Sequence, residues 1–265
     1  MTMIINPYIF GSSTTPLVEP TVTASMRLWL KSNVGVTTVG TTTQLVSNWA
    51  DQSGKSNNAF QNSASYRAVY NFIDPALNNL PALDFQAGGD DSMQVVASTS
   101  LNFSANGFTI FVAANITSWY SSYATLLQHS NGSTWTQGWG IMAVPGSKIR
   151  FFVNNWNNTA NYVELPIPPT GQKTIFKFQW DKAQGRLIAS YDQNTGGLDN
   201  SILKVATISG YVHPTEALEI MRGGFGAVTY DTSGKLGDIL IYEGVTSTAT
   251  DTSVETYLKQ KYNIV

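Results

Sequence analysis

Polar and apolar residues alternate in short runs along much of the chain. The two-residue period is cleanest in Thr174-Ile-Phe-Lys-Phe-Gln-Trp180. There Phe176, Phe178 and Trp180 share one face while Lys177 and Gln179 point the other way, which predicts a strand with one core face and one wet face. Less regular alternation predicts further strands over 108–116, 149–153, 186–192 and 237–242, with Asn-Gly, Pro-Gly and Gly-Gly punctuation between many of them. One stretch reads as a helix. After Thr252, residues Val254, Tyr257, Leu258 and Tyr262 fall at helical spacing, and Thr252 with Glu255 forms a capping-box pair. Residues 1–22 carry Pro7, Gly11, Pro16 and Pro20 among Ser and Thr, a composition that predicts an extended arm. No internal repeat of fixed period is present. Many short strands, one terminal helix and no βαβ rhythm predict an all-β, two-sheet antiparallel jelly-roll sandwich over residues 23–265, preceded by the arm.

Composition narrows the partners. The chain has 265 residues, 42% of them apolar, with 7 Trp, 12 Tyr and 12 Phe, enough for a large single core. Only 12% are charged, about half the usual share, and 15 basic side chains nearly cancel 17 acidic ones. A phosphate backbone calls for clustered Lys and Arg, so nucleic acid is not an expected partner. Cysteine is absent, which removes disulfides, thiolate catalysis and sulfur-based metal sites. The two histidines, His129 and His213, are far apart in sequence and outside any HExxH pattern, so no multi-histidine metal site is expected. No stretch reaches membrane-span length and the first residues lack a basic-then-apolar leader, so neither a membrane nor the general secretion route is expected. The Asn-x-Ser/Thr triplets at Asn102, Asn115, Asn131 and Asn157 are read as loop composition.

Several segments, in order, resemble concanavalin A-like, laminin G-like jelly-roll domains. They are Met26-Arg-Leu-Trp-Leu-Lys-Ser-Asn-Val-Gly-Val36, Val46-Ser-Asn-Trp-Ala-Asp-Gln-Ser-Gly54, Leu80-Pro-Ala-Leu-Asp-Phe85 and Gly89-Asp-Asp-Ser-Met93. Lys235-Leu-Gly-Asp-Ile-Leu-Ile-Tyr-Glu243 and the stretch 254–264 are similar to the last core strand and terminal helix of those domains. The opening Ile4-Ile-Asn-Pro-Tyr-Ile-Phe-Gly11 resembles the start of structural proteins of tailed bacteriophages. That resemblance implies a virion protein on a capsid or tail surface, made in the host cytoplasm and present in many copies. Its arm, through Asn6, Pro7, Tyr8 and Phe10, would dock on other virion proteins. Fold alone does not assign the role of adhesin, decoration subunit or tail-fibre module.

Such folds also include glycoside hydrolases, which need two carboxyls at a set separation. The alternating Glu-x-Asp-x-Glu pattern is missing, and the three-residue offset of Glu216 and Glu219 points them to opposite faces of a strand. No Gly-x-Ser-x-Gly elbow is present, and Gly223-Gly-Phe-Gly226 lacks phosphate-cradle spacing. The expectation is therefore a non-enzymatic protein. Asp51 and Ser53 read as turn residues completed by Gly54. Asp90 and Asp91 are the candidate metal ligands, for a Ca²⁺ of the kind some laminin G-like domains hold, though Ca²⁺ takes six to eight oxygens and the turn reading competes. No cofactor is required by anything else in the chain. Arg222 and His213 read as structural.

The binding candidates are aromatic. Trp119-Tyr120, Tyr123, Trp135, Trp139 and Trp156, the last within Asn154-Asn155-Trp156, lie among Ser, Asn and Gly. A sugar offers an apolar ring face and a rim of hydroxyls, which a flat indole and nearby amides match. Trp119, Trp135, Trp139, Asn154, Asn155 and Trp156 are thus the candidate carbohydrate site. The competing reading places each Trp in the core. The function expected is a bacteriophage surface protein presenting a lectin-like domain. The alternatives are a free-standing lectin and a polysaccharide-cleaving enzyme.

Overall fold

The computed structural model describes residues 16–264 except 87–89, 120–122, 132–133, 194–198, 206–207, 209 and 224–229. Every strand pairing is antiparallel, and the ladders trace two layers. The first runs Asp199–Val205, Arg186–Asp192, Lys173–Asp181, Gly107–Trp119 and Tyr230–Glu243. Along the far edge of Tyr230–Glu243 lie Met26–Leu30 and Leu80–Phe85, with Val69–Asp74 beyond the latter. The first strand after the arm thus pairs with the last, closing the domain near its own start.

The second layer runs Tyr162–Pro166, Lys148–Val153, Trp139–Val144, Thr125–His129, Leu218–Ile220, Met93–Val95, Ala59–Phe60, Leu45–Trp49 and Val36–Val39. One ladder pair, Leu45 with Val69, joins the layers at an edge. The main core fills the space between them. Phe108 of the first layer meets Trp139 and Phe151 of the second at ring-centroid distances of 5.1 and 5.8 Å, and Phe151 meets Phe178 at 5.5 Å. Phe176, Phe178 and Trp180 all point into this core, as their spacing predicts.

The face expected to be wet is covered instead. The helix Thr248–Tyr262 lies on the outside of the first layer, where Val254, Tyr257, Leu258 and Tyr262 pack on Phe111, Ala113, Ile175 and Leu240. Lys177 reaches the helix carboxylates Asp251 and Glu255 at 2.8 and 3.2 Å. The helix also begins a turn earlier than the Thr252 cap predicts. Ser247 is extended (ψ 155°) and its hydroxyl accepts from the Thr250 N–H, satisfying an amide that the first turn leaves unpaired.

Beneath the helix, Asp238 is fully buried. It accepts from Lys261 Nζ at 2.9 and 3.0 Å, from the Tyr257 and Tyr262 hydroxyls at 2.7 and 2.8 Å, and from the Ser32 N–H at 3.2 Å. Lys261 also donates to Asn33 Oδ1 at 2.9 Å, so one ionic centre ties the helix to the last strand and to the turn after Met26–Leu30. Residues 16–19 are exposed and carry no strand or helix, Glu19 pairs with Lys31, and Asn6, Pro7, Tyr8 and Phe10 lie outside the described residues.

Candidate functional site

The outer face of the second layer carries one row of ladder partners across eight strands. It runs Asn48, Phe60, Gln94, Glu219, Gln128, Gly140, Phe152 and Tyr162. Neighbours along the same strands, such as Trp49, Ala59, Val95, Ile220, Leu127, Ile141, Phe151 and Val163, sit in the main core, so strand alternation turns the row outward.

At the Tyr162 end stands an aromatic patch. Trp135, Met142, Val144 and Phe152 are buried there, with Tyr123, Trp156, Tyr162 and Tyr230 half-buried around them. Trp135 meets Trp156 and Tyr230 at 5.4 and 5.3 Å, and Tyr123 meets Trp156 and Tyr230 at 5.2 and 5.8 Å. Most of these contacts are edge-on, the arrangement that aligns ring edges with ring faces. Gly140 makes room for the patch, because a Cβ there would stand 2.5 Å from the Phe152 ring. The Arg150 guanidinium lies 3.7 Å from the Tyr162 ring centroid and 5.5 Å from that of Trp156. It also bonds Glu164 at 2.6 and 3.0 Å and the Trp156 carbonyl at 2.7 Å. Burial alone would raise the Glu164 pKa, but bonds from Arg150 and Lys148 outweigh it and hold the group below its ordinary value. Arg150 is thus fixed beside the rings, with its charge met by a Glu164 that Lys148 shares.

The candidate residues divide. Trp135 and Trp156 come together in this patch, whereas Trp139 is fully buried in the main core beside Phe108 and His129, out of reach of any surface ligand. Trp119, at the end of Gly107–Trp119, packs against the main core as well. Asn154 is nearly buried and latches the 210–212 segment, donating to the Gly210 carbonyl at 3.0 Å and accepting from the Val212 N–H at 3.3 Å. Asn155 accepts from the Asn157 N–H at 3.0 Å, a turn role. Tyr162, Tyr230, Arg150 and Glu164 are members of the patch that local spacing does not reveal.

In the middle of the row, Glu219 accepts from Gln94 Nε2 at 2.9 Å, and burial raises its pKa to about 7, against the opposing pull of Arg222 and this bond. Gln128 beside it is fully buried. A Cβ on residue 223 would stand 2.8 Å from Gln128 Oε1 and 2.1 Å from Thr125 Oγ1, so glycine is required there. Amides thus flank Glu219 on both sides of the row. Glu216 lies before the strand, where its carbonyl meets His129 Nε2 at 3.1 Å. The two histidines, distant in sequence, are brought to 5.1 Å between ring centroids. Burial, with His213 adding, lowers the His129 pKa to about 3, so the ring is neutral at ordinary pH.

At the Asn48 end the surface opens into a cleft of about 430 Å³, lined by Asn48, Lys55, Ser56, Asn57, Asn58, Phe60, Val95, Val96 and Ser98. Its rim is held by the 51–57 turn. Asp51 Oδ1 accepts from the Trp29 and Ser53 N–H groups, both at 2.9 Å, and Oδ2 from the Asn57 N–H at 3.0 Å, the structural role the turn predicts. Asp91 Oδ2 accepts from the Gln86 N–H at 2.9 Å, and burial raises its pKa. Asp90, adjoining it, has the left-handed φ of 55°. Among the described residues no three His, Asp or Glu side chains cluster as a metal site would require.

No protein-family model matches the sequence, and no curated protein matches it. Solved structures do share its architecture. The chain is similar to a GH54 α-L-arabinofuranosidase soaked with a cyclic sulfate inhibitor, with TM-score 0.60 and 13% identity over 83% of this chain and 52% of that one. It is similar to the binding domain of botulinum neurotoxin DC in complex with SialylT, with TM-score 0.55 and 13% identity over 91% and 52%. It is also similar to Trypanosoma rangeli sialidase in complex with sialic acid, with TM-score 0.56 and 16% identity over 94% and 36%. The chain spans about half the length of the first two and about a third of the last. At these identities the likeness establishes the fold: an all-β sandwich of the jelly-roll type.

Proposed function

We propose that this chain is a non-enzymatic carbohydrate-binding module whose glycan site is the aromatic patch on the outer face of the second layer. The observation that carries the reading is the cluster of half-buried Tyr123, Trp156 and Tyr230 over buried Trp135, with the Arg150 charge beside it met by Glu164. Interlocked rings supply an apolar surface for a sugar ring at small entropic cost, and with Arg150 paired to Glu164 no unpaired charge stands among them, which suits a neutral sugar. In the finer form of the proposal, the module is a bacteriophage virion protein docked through residues 1–22 and displayed in many copies. Avidity then compensates for a shallow single site. Glu219, protonated near neutrality, has one property of a general acid, but its row neighbours are the amides Gln94 and Gln128 where a hydrolase would need a second carboxyl.

A glycan array with the full chain and with Trp156→Ala tests the reading. We expect binding to neutral glycans by the full chain and a loss of about 2 kcal/mol, roughly 30-fold in Kd, in the variant. Absence of binding to any glycan, or equal binding by Trp156→Ala, overturns it. Deletion of residues 1–22 is expected to spare glycan binding and abolish incorporation into particles.

A further inference from the structure

Most of the described lysines have a fixed acceptor. Lys31, Lys148, Lys177, Lys235, Lys259 and Lys261 each meet a carboxylate, and Lys173 and Lys182 donate to backbone carbonyls. Among the lysines whose side chains are described, Lys55 alone has no acceptor, and it lies in the wall of the 430 Å³ cleft. From that juxtaposition we infer that the cleft is a second ligand site, separate from the aromatic patch, for a sugar unit that bears a carboxylate.

The other walls fit the rest of such a ligand. Phe60 is half-buried on the outer face and Val96 is 62% exposed, so together they offer an apolar floor to a sugar ring. Asn48 has no side-chain hydrogen bond. Asn58 uses only Oδ1, which accepts from the Asp51 N–H at 2.9 Å, leaving Nδ2 to donate. The Ser56 hydroxyl is exposed, held by a left-handed φ of 61°. These donors and acceptors match hydroxyls, and the ammonium matches one negative charge. The volume falls in the range of small-molecule sites and suits a single ring with its substituents. A purely neutral glycan would leave the ammonium unmatched, and an inorganic anion would leave the apolar floor unused.

The inference rests on the carbohydrate-binding reading for the class of ligand, but it concerns a different end of the row. Ligand-observed NMR on the full chain tests it, with D-glucuronate, D-glucose and acetate as probes. Glucuronate should bind about tenfold more tightly than glucose, the range expected when a charged hydrogen bond is added. The preference should weaken with salt, vanish in Lys55→Gln, survive in Lys55→Arg and be untouched by Trp156→Ala. The inference is overturned if the full chain shows no preference for glucuronate or if Lys55→Gln retains it. It is equally overturned if Trp156→Ala removes the preference, or if acetate competes as well as glucuronate. Loss of neutral-glycan binding in Trp156→Ala with the glucuronate preference intact would separate the two sites. Failure of the aromatic patch to bind neutral glycan would count against the first reading alone.

Discussion

Replacing Lys261 by methionine removes one charge from the buried centre under the helix and leaves the carboxylate of Asp238 without its cation. Side chains of both members are almost wholly inaccessible, at 3% for Lys261 and 0% for Asp238. Breaking a pair of this kind by removing one partner costs about 3–5 kcal/mol. The lower end applies here, because the Tyr257 and Tyr262 hydroxyls and the Ser32 N–H continue to donate to Asp238. Burial, with the charge of Asp238 adding, raises both phenol pKa values, so these donors stay protonated. For a domain of this size about 3 kcal/mol corresponds to a fall of roughly 6–12 °C in Tm. Thermal unfolding followed by tryptophan fluorescence at neutral pH measures it, in a cycle with Asp238→Asn and the double variant. The double variant should be less destabilised than the sum of the singles by at least about 1 kcal/mol, because neither charge is then stranded. A fall below about 2 °C for Lys261→Met, or strict additivity, would refute the assignment of this pair as an ionic centre.

Two further outcomes follow from local geometry. Glu219 titrates near 4.5 when exposed and at about 7 in the fold, so between those values the folded chain holds a proton the unfolded chain has released. Its contribution to stability is therefore fully present at the acid end and is lost as pH rises through about 7, by about 3 kcal/mol, and Glu219→Gln should flatten that part of the Tm profile. An unchanged slope in the variant would assign the titration elsewhere. Ser247→Ala should cost about 1 kcal/mol by chemical denaturation, whereas Thr252→Ala, inside the helix and exposed, should stay within about 0.5 kcal/mol. The reverse order would restore the cap to Thr252.

What could be read from the chain depended on how many faces an element buries. Lys173–Asp181 shows its period because Phe176, Phe178 and Trp180 enter the main core while polar Lys177 and Gln179 alternate with them. Gly107–Trp119 is less regular for a physical reason. Phe108, Ile110 and Val112 enter the main core, and Phe111 and Ala113 lie under the helix, so both faces are apolar and alternation disappears. The helix was legible from its core residues but not from its start, since Ser247 and Thr252 are both acceptable caps and only tertiary placement selects the first. The aromatic patch draws on separated segments between Tyr123 and Tyr230. Trp135 and Trp156 stand out by type, but Tyr162 joins them only because Tyr162–Pro166 pairs with Lys148–Val153 and puts it opposite Phe152.

Charge was the least legible property, and it bears most directly on ligand choice. A near balance of 15 basic and 17 acidic groups says that the molecule as a whole attracts little. It does not say whether the balance is kept pair by pair. In the fold most described lysines are matched, some in shared arrangements: Arg150 and Lys148 share Glu164 at the aromatic patch, Lys177 meets both Asp251 and Glu255, and Lys261 meets Asp238 at depth. In the 51–57 turn the Asp51 carboxylate is taken up by N–H groups of Trp29, Ser53 and Asn57, so Lys55 is left as the cation able to meet a ligand in the cleft. The two ends of the outer row then differ in kind. One is aromatic with Arg150 paired to Glu164, the other amide-lined with Lys55 unpaired, and a glycan bearing both neutral and acidic units has a reason to orient itself between them.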